Sequence, residues 1–193
     1  LSDMNTTSSR SLALVPLFAA LLAVLGLIPK IDLPLGVPIT LQTLGVMLAG
    51  CLLGPRRGLQ AMLLFLAAVA MGLPLLSGGR GGLGVFVAPS AGYLVGFASG
   101  ALVTGLLMSR LPSGTPRKAA TSAFIASAVG GLATVHLFGV FGLVNIAHLS
   151  WSQALWGTLV FVPGDLVKCG LCAAVVHTIA RGLPDWQFGG RAA

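Results

Sequence analysis

The sequence predicts an all-α integral membrane protein with six transmembrane helices and cytoplasmic N- and C-termini. Three observations carry this reading. First, 56% of the 193 residues are hydrophobic and only 8% are charged, whereas a soluble domain carries roughly 25% charged residues. So little charge cannot coat a water-facing surface. Second, the apolar residues fall into six runs, near 12–28, 38–54, 58–73, 85–109, 119–144 and 151–180, on the scale of the roughly 20 residues a spanning helix needs. Third, lysine and arginine are unevenly shared between the two sides. Arg10, Arg56, Arg57, Arg110, Arg117, Lys118, Arg181 and Arg191 fall on one side, and only Lys30 and Arg80 on the other. By the positive-inside rule the richer side is cytoplasmic. Both termini then lie inside and Arg80 lies outside. Residues 1–193 read as a single membrane domain.

Each element has a local reason. The first run, "SLALVPLFAALLAVLGLI", follows the short polar stretch "LSDMNTTSSR". It is too long for a typical signal h-region and ends in "PKIDLP" rather than a small-residue cleavage site, so a retained helix is expected. Ala19 and Ala23 lie four apart on it. Such a small-residue face serves either packing inside the chain or docking of a second membrane protein. Three prolines in "PKIDLPLGVP" break the chain before the second run, and "GPRRG" is a tight charged turn before the third. The glycine-rich "LPLLSGGRGGLG" precedes the fourth run, and "SRLPSGTPRK" precedes the fifth. Ser150 and Gln153 fit a capping box that opens the sixth. That last run is 30 residues, about 45 Å as one helix against a hydrocarbon core of about 30 Å. A break is expected at Pro163-Gly164.

Composition also excludes some functions. The net charge is +7, but the basic residues stand singly or in pairs between apolar runs, so no basic face tracks a nucleic acid. Cys51, Cys169 and Cys172 lie in or at the ends of apolar runs, which is not a disulfide framework.

The candidate site residues are the charges that the bilayer should reject. Asp165 and Lys168 sit within the last run, three apart and therefore on one helix face. Each such charge costs about 2.5–3.5 kcal/mol at the centre of a membrane helix. Counting back from Arg181 sets them about 20–24 Å from the inner boundary, in the outer half of the membrane. They either neutralise one another or form a polar ligand site open to the outside. "GRGGLG" at 79–84 matches G-x-G-x-x-G, but no strand precedes it and a membrane span follows. It reads instead as a loop whose backbone N–H groups and Arg80 guanidinium recognise an anionic group, or as a flexible turn with a headgroup-binding arginine. Cys169 and Cys172 form a C-x-x-C. A redox relay would need a second pair, and Cys51 is expected at the far, cytoplasmic end of its span, so small apolar packing is the alternative. Ser90 with His136, His148 or His177 invites an intramembrane hydrolase, but their expected depths do not match. A lone histidine in a glycine-rich span is read as a packed helix contact. No enzyme activity, metal or cofactor is expected.

The segments "VPITLQTLGVMLAG", "GPRRG", "GLPLLSGGRGGLG", "APSAGYLVGF" and "FVPGDLVK" together resemble the biotin-specific S components of energy-coupling factor transporters, the BioY family. The resemblance spans about Ala13 to Arg181. It implies a six-helix protein of the bacterial cytoplasmic membrane that captures biotin near the outer face. It implies a transmembrane coupling protein and two cytoplasmic ATPases as partners, docked through small residues on the first helix, here Ala19 and Ala23. The implied biotin-binding positions are Asp165, Lys168, Arg80, Tyr93 and Gln42. The chemistry agrees. A ureido ring offers N–H groups to Asp165 and a carbonyl to Lys168, Arg80 suits the valerate carboxylate, and Phe86, Tyr93 and Phe161 suit the apolar ring and tail. No nucleotide-binding signature is present, so energy comes from a partner or an ion gradient, or uptake is facilitated. The alternatives are a solitary biotin transporter without an ATPase, and an intramembrane hydrolase or thiol oxidoreductase.

Overall fold

The computed structural model describes the backbone of residues 2–31, 37 and 39–190, and the side chains from Ala13 onward. Most of the proline-rich connection, the side chain of Arg10, and Arg191 lie outside the described residues. The helices are α1 (Ser2–Leu27), α2 (Gln42–Ala70), α3 (Ala91–Arg110), α4 (Pro116–Asn145), α5 (Trp151–Leu159) and α6 (Val162–Gly182). Among the described residues, α2, α3, α4 and α6 are long and apolar enough to cross a membrane, and Ala13–Leu27 is a shorter apolar helix.

The second and third expected spans both fall in α2. Gly54 breaks it, with φ of 82°, a conformation that suits glycine. Pro55 follows directly, where its missing N–H starts a new helix at no cost. The two halves, 42–53 and 55–70, fold back on one another. A Cβ on Gly58 would stand 3.2 Å from the carbonyl oxygen of Ala49, whereas nine residues of straight helix span about 13.5 Å. The "GPRRG" turn is thus real and contains no loop at all.

Three other elements depart from expectation. The helix of the fourth run starts at Ala91 rather than near 85, because Leu83–Phe86 forms a 3₁₀ turn. The fifth span is a single run, but Ser127–Thr134 within it is π-helical. In the last span the break falls at Val160–Phe161, two residues before the predicted point. Pro163 lies in the first turn of α6, the position a helix tolerates for proline. The capping box of α5 is present, with Ser150 and Gln153 exchanging both bonds.

Close packing comes from glycine. Gly92, Gly96 and Gly100 line one face of α3 at every fourth residue. A Cβ there would stand 2.8 Å from the Cα of Gly142, 2.9 Å from the Cα of Val135 and 2.8 Å from the carbonyl oxygen of Gly130, all on α4. Small residues at such a crossing let backbones touch, which is the main source of helix association in lipid. The outer faces remain apolar, with Leu17, Leu63, Phe141, Trp156 and Val167 exposed, as lipid contact requires.

Ala19 is buried in the core and Ala23 is half-buried against it, whereas Ala13, Pro16, Leu17, Ala20 and Val24 are exposed. Ala19 therefore packs inside the chain, and Ala23 lies at the edge of the buried face. The two ends of the bundle differ in charge. Arg117, His177 and Arg181 line a cleft at one end, and the C-terminal turn around Gly189 covers the Gly54 turn at that same end. Arg80 lies at the other.

We expect Gly96→Leu to destabilise the fold by at least the roughly 1–3 kcal/mol typical of overpacking. Gly170→Ala, at a helical glycine with open space around it, should leave stability unchanged or raised. Thermal unfolding in detergent checks both, and an unaltered Gly96→Leu midpoint would refute the α3–α4 crossing.

Candidate functional site

Phe161 ends the α5–α6 break and accepts the Asp165 N–H through its carbonyl oxygen at 3.0 Å. This puts Asp165 in the first turn of α6, where the helix dipole favours a carboxylate. Lys168 follows one turn later and donates to Asp165 Oδ1 at 2.7 Å. Asp165 is 2% exposed and Lys168 6%, so the pair is inside the protein. The expected i, i+3 pairing is correct.

The pair has further partners that the sequence did not announce. Thr43 on α2 donates to Asp165 Oδ1 at 3.1 Å and accepts from Lys168 Nζ at 2.9 Å. His136 on α4 bonds Asp165 Oδ2 through Nε2 at 2.7 Å. The carboxylate is thus held by residues of three helices. His136 follows the π-helical segment by two residues, and such segments re-aim side chains at functional sites. The expectation of a packed helix contact for His136 needs correction: it is a polar partner of Asp165. Its ring also stands edge-on to Tyr93, with centroids 5.8 Å apart, and lies 5.7 Å from the Phe161 ring.

These groups line a cavity with Val37, Thr40, Gln42, Leu76, Arg80, Ser90, Leu94 and Phe97. Its free volume is about 50 Å³, several times the roughly 10–15 Å³ one water needs. All five residues predicted as a site, Asp165, Lys168, Arg80, Tyr93 and Gln42, border it. Their states differ. The Tyr93 hydroxyl pairs with Thr158 on α5 at 3.0 Å, so its ring is the part left for an apolar wall. Phe161 lines the cavity as expected. Phe86 packs against the core instead, and Phe97 takes a place in the wall.

Gln42 has little capacity left for a ligand. Its amide N–H groups donate to the carbonyls of Leu22 and Leu75, both at 3.1 Å, and its oxygen accepts from Ser77 N–H at 3.3 Å. It ties α1, α2 and the following loop together. That loop closes through a tight turn, with Leu76 and Arg80 exchanging backbone bonds of 3.0 and 3.2 Å across Gly78 and Gly79. Both glycines have positive φ, which this turn needs. The N–H groups of Ser77, Arg80 and Gly82 bond within the protein. Arg80 donates through Nη1 to Ser90 Oγ at 3.1 Å and weakly to the Ser77 carbonyl, which leaves N–H groups of its fork over.

The enzyme alternatives find no support in this geometry. Ser90 Oγ accepts from Arg80 while His136 Nε2 is engaged with Asp165, so among the described residues the serine is not hydrogen-bonded to a histidine. The expected separation of Cys51 from the C-x-x-C needs correction. Cys51 and Cys172 are buried with their sulfurs 3.9 Å apart, because the first half of α2 runs beside α6. Among the described residues, no three of His, Cys, Asp and Glu gather as a metal site.

Fold and site together define a multi-pass helical membrane protein that encloses a partly charged cavity near one end. The comparisons give the family. The chain belongs to the BioY family, whose model matches residues 3–185. It is 46% identical to the biotin transporter BioY of Rhizobium etli, over 92% of this chain and 96% of that protein. It is 48% identical to the biotin transporter BioY of Rhodobacter capsulatus, over 91% of this chain and 96% of that protein. Among solved structures it resembles the S-component for biotin from an ECF-type ABC transporter, with a TM-score of 0.81 and 30% identity, over 92% of this chain and 94% of that one.

Gln42→Leu tests the division of labour. It would strand the Ser77 N–H and the Leu75 carbonyl, and each buried unsatisfied group costs about 1–3 kcal/mol. We expect a clearly lowered unfolding temperature in detergent. An unchanged temperature would contradict a structural role for this amide.

Proposed function

We propose that this chain binds biotin with high affinity in the cavity between Arg80 and the Asp165–Lys168 pair, as the substrate-capturing S component of a vitamin uptake transporter. The observation that carries this reading is the composition of the cavity. A cationic fork, an apolar and aromatic wall and a hydrogen-bonded ion pair border one space. Biotin has a carboxylate, an apolar ring and tail, and a ureido group in that order. A few polar groups fixed in a mostly apolar pocket are the usual basis of small-ligand specificity. The names of the relatives and of the similar structure point the same way.

In this proposal the chain forms one membrane unit in the bacterial cytoplasmic membrane. Both termini are inside and Arg80 faces out, as the charge bias argues. Energy is supplied by a transmembrane coupling protein and two ATPases. Docking through Ala19 and Ala23 belongs to this reading, but Ala19 is covered by the chain itself. Bulk at Ala19 is therefore expected to disturb folding as well as docking, and the exposed stripe through Ala13, Leu17, Ala20 and Val24 is the face a partner would meet.

Calorimetry of purified protein with biotin is the test. Asp165→Asn should lower affinity roughly ten- to a hundredfold, because hydrogen bonds to charged groups contribute about 1.5–3 kcal/mol. Lys168→Ala should cost at least as much, since it also leaves Asp165 without its cation. Unchanged affinity in both would refute the site. Co-purification with an ATPase–coupling module separates an S component from a solitary transporter, and its absence with intact biotin uptake would favour the latter.

A further inference from the structure

Arg117 and Arg181 take no part in the cavity around Asp165. Arg117 stands in the first turn of α4 and Arg181 in the last turn of α6. The two helices pack against one another, and both are long and apolar enough to cross a membrane. Their ends therefore fall where hydrocarbon gives way to headgroups, on the side that the charge bias makes cytoplasmic. With Thr115, Pro116 and His177, the two arginines line one open cleft of about 490 Å³. Among the described residues, neither guanidinium has an ion pair or a hydrogen bond to the protein. No acid lines the cleft. Asp185, just past the end of α6, pairs with neither arginine. The cleft thus gathers two permanent positive charges and an imidazole that has an N–H donor in either tautomer. Topology signalling asks only for arginines on this side; it does not ask that two helices bring them to one concave, acid-free space.

What lies below the cleft, toward the membrane centre, decides its occupant. On the α6 face that carries Arg181 and His177, helical spacing next places Ala174 and Gly170. Both are exposed, and no atom lies within 4 Å of the position a Gly170 Cβ would take. On α4, Thr121 and Phe124 are exposed on the face of Arg117. The basic cleft therefore runs on into a mostly apolar surface, lowered by small residues. Arg181 and Gly170 are eleven residues apart, about 16 Å along the helix, which is about half of the roughly 30 Å hydrocarbon core. The complement of such a surface is a molecule with a phosphate at one end and an alkyl chain one leaflet long at the other. An acidic protein face would meet the arginines but not the apolar surface beneath them.

We infer that Arg117, His177 and Arg181 form a binding site for an anionic phospholipid of the inner leaflet, whose acyl chain lies along the Gly170–Ala174 face of α6. The guanidinium forks match phosphate oxygens, and basic pockets between membrane helices on the cytoplasmic side suit anionic headgroups. The site stands apart from the biotin reading and does not depend on it.

The test is native mass spectrometry of the delipidated full chain in detergent, titrated with phosphatidylglycerol or phosphatidylcholine. The unaltered chain should bind phosphatidylglycerol about tenfold more tightly than phosphatidylcholine. Arg117→Gln with Arg181→Gln should lose about tenfold in phosphatidylglycerol affinity and most of that preference. Arg56→Gln with Arg57→Gln removes as much charge from the same end, outside the cleft, and should keep both. Ala174→Phe, which leaves every charge in place and fills the apolar face, should also weaken phosphatidylglycerol, and inorganic phosphate should compete poorly. If the Arg117 and Arg181 double variant does not fold, Ala174→Phe and the phosphate competition decide. An equal loss in both arginine pairs would overturn the inference in favour of diffuse surface charge. Equal binding of the two lipids by the unaltered chain would also overturn it. Effective competition by inorganic phosphate, with no effect of Ala174→Phe, would make the cleft a free-anion site instead. Arginine variants that keep phosphatidylglycerol but no longer co-purify with a coupling module would assign the cleft to an acidic protein face.

Discussion

A carboxylate cannot stay ionised inside a membrane protein without partners, and Asp165 recruits them from three helices. Lys168 is on its own helix, Thr43 comes from α2 and His136 from α4. Removing one member of such a buried set typically costs about 3–5 kcal/mol, because the remaining charge is left uncompensated. The requirement reaches beyond the site. It brings the first turn of α6, the start of α2 and the middle of α4 together.

Glycine makes that convergence sterically feasible. The α3 ladder lets α4 approach closely enough for its backbone to touch, and His136, just past the π-helical segment of α4, meets Asp165 of α6. Lipid gives little hydrophobic drive between helices, so close van der Waals packing and polar contacts carry the association. The same residues that hold the helices together therefore shape the cavity. Gln42 shows the economy of this arrangement: its side chain borders the cavity while its amide binds α1 and the Arg80 loop.

Much of this was legible in the sequence, for identifiable reasons. Charges are rare enough in an apolar chain to stand out, so Asp165, Lys168 and Arg80 drew attention, and proline and glycine marked most breaks. What stayed hidden depends on contacts distant in sequence. His136 is 29 residues from Asp165, and only the requirement that a buried polar group find a partner pointed toward it. Thr43 is a small hydroxyl beside the more conspicuous Gln42. The proximity of Cys51 to Cys172 follows from the first half of α2 lying beside α6, which run lengths do not convey. Asp165 and Lys168 also showed how far local rules reach, since their spacing fixed the pair but said nothing of what it faces.

The central claim is that the ion pair serves a ligand and is not merely a way to bury its own charge. Replacing both members, Asp165→Asn with Lys168→Met, separates these directly, since it removes both charges and leaves neither uncompensated. The quantity to measure is biotin affinity of the folded double variant in detergent, with thermal unfolding as the control. The account predicts a folded protein whose biotin binding is strongly weakened. Near-native affinity in that variant would contradict it and reduce the pair to self-neutralisation.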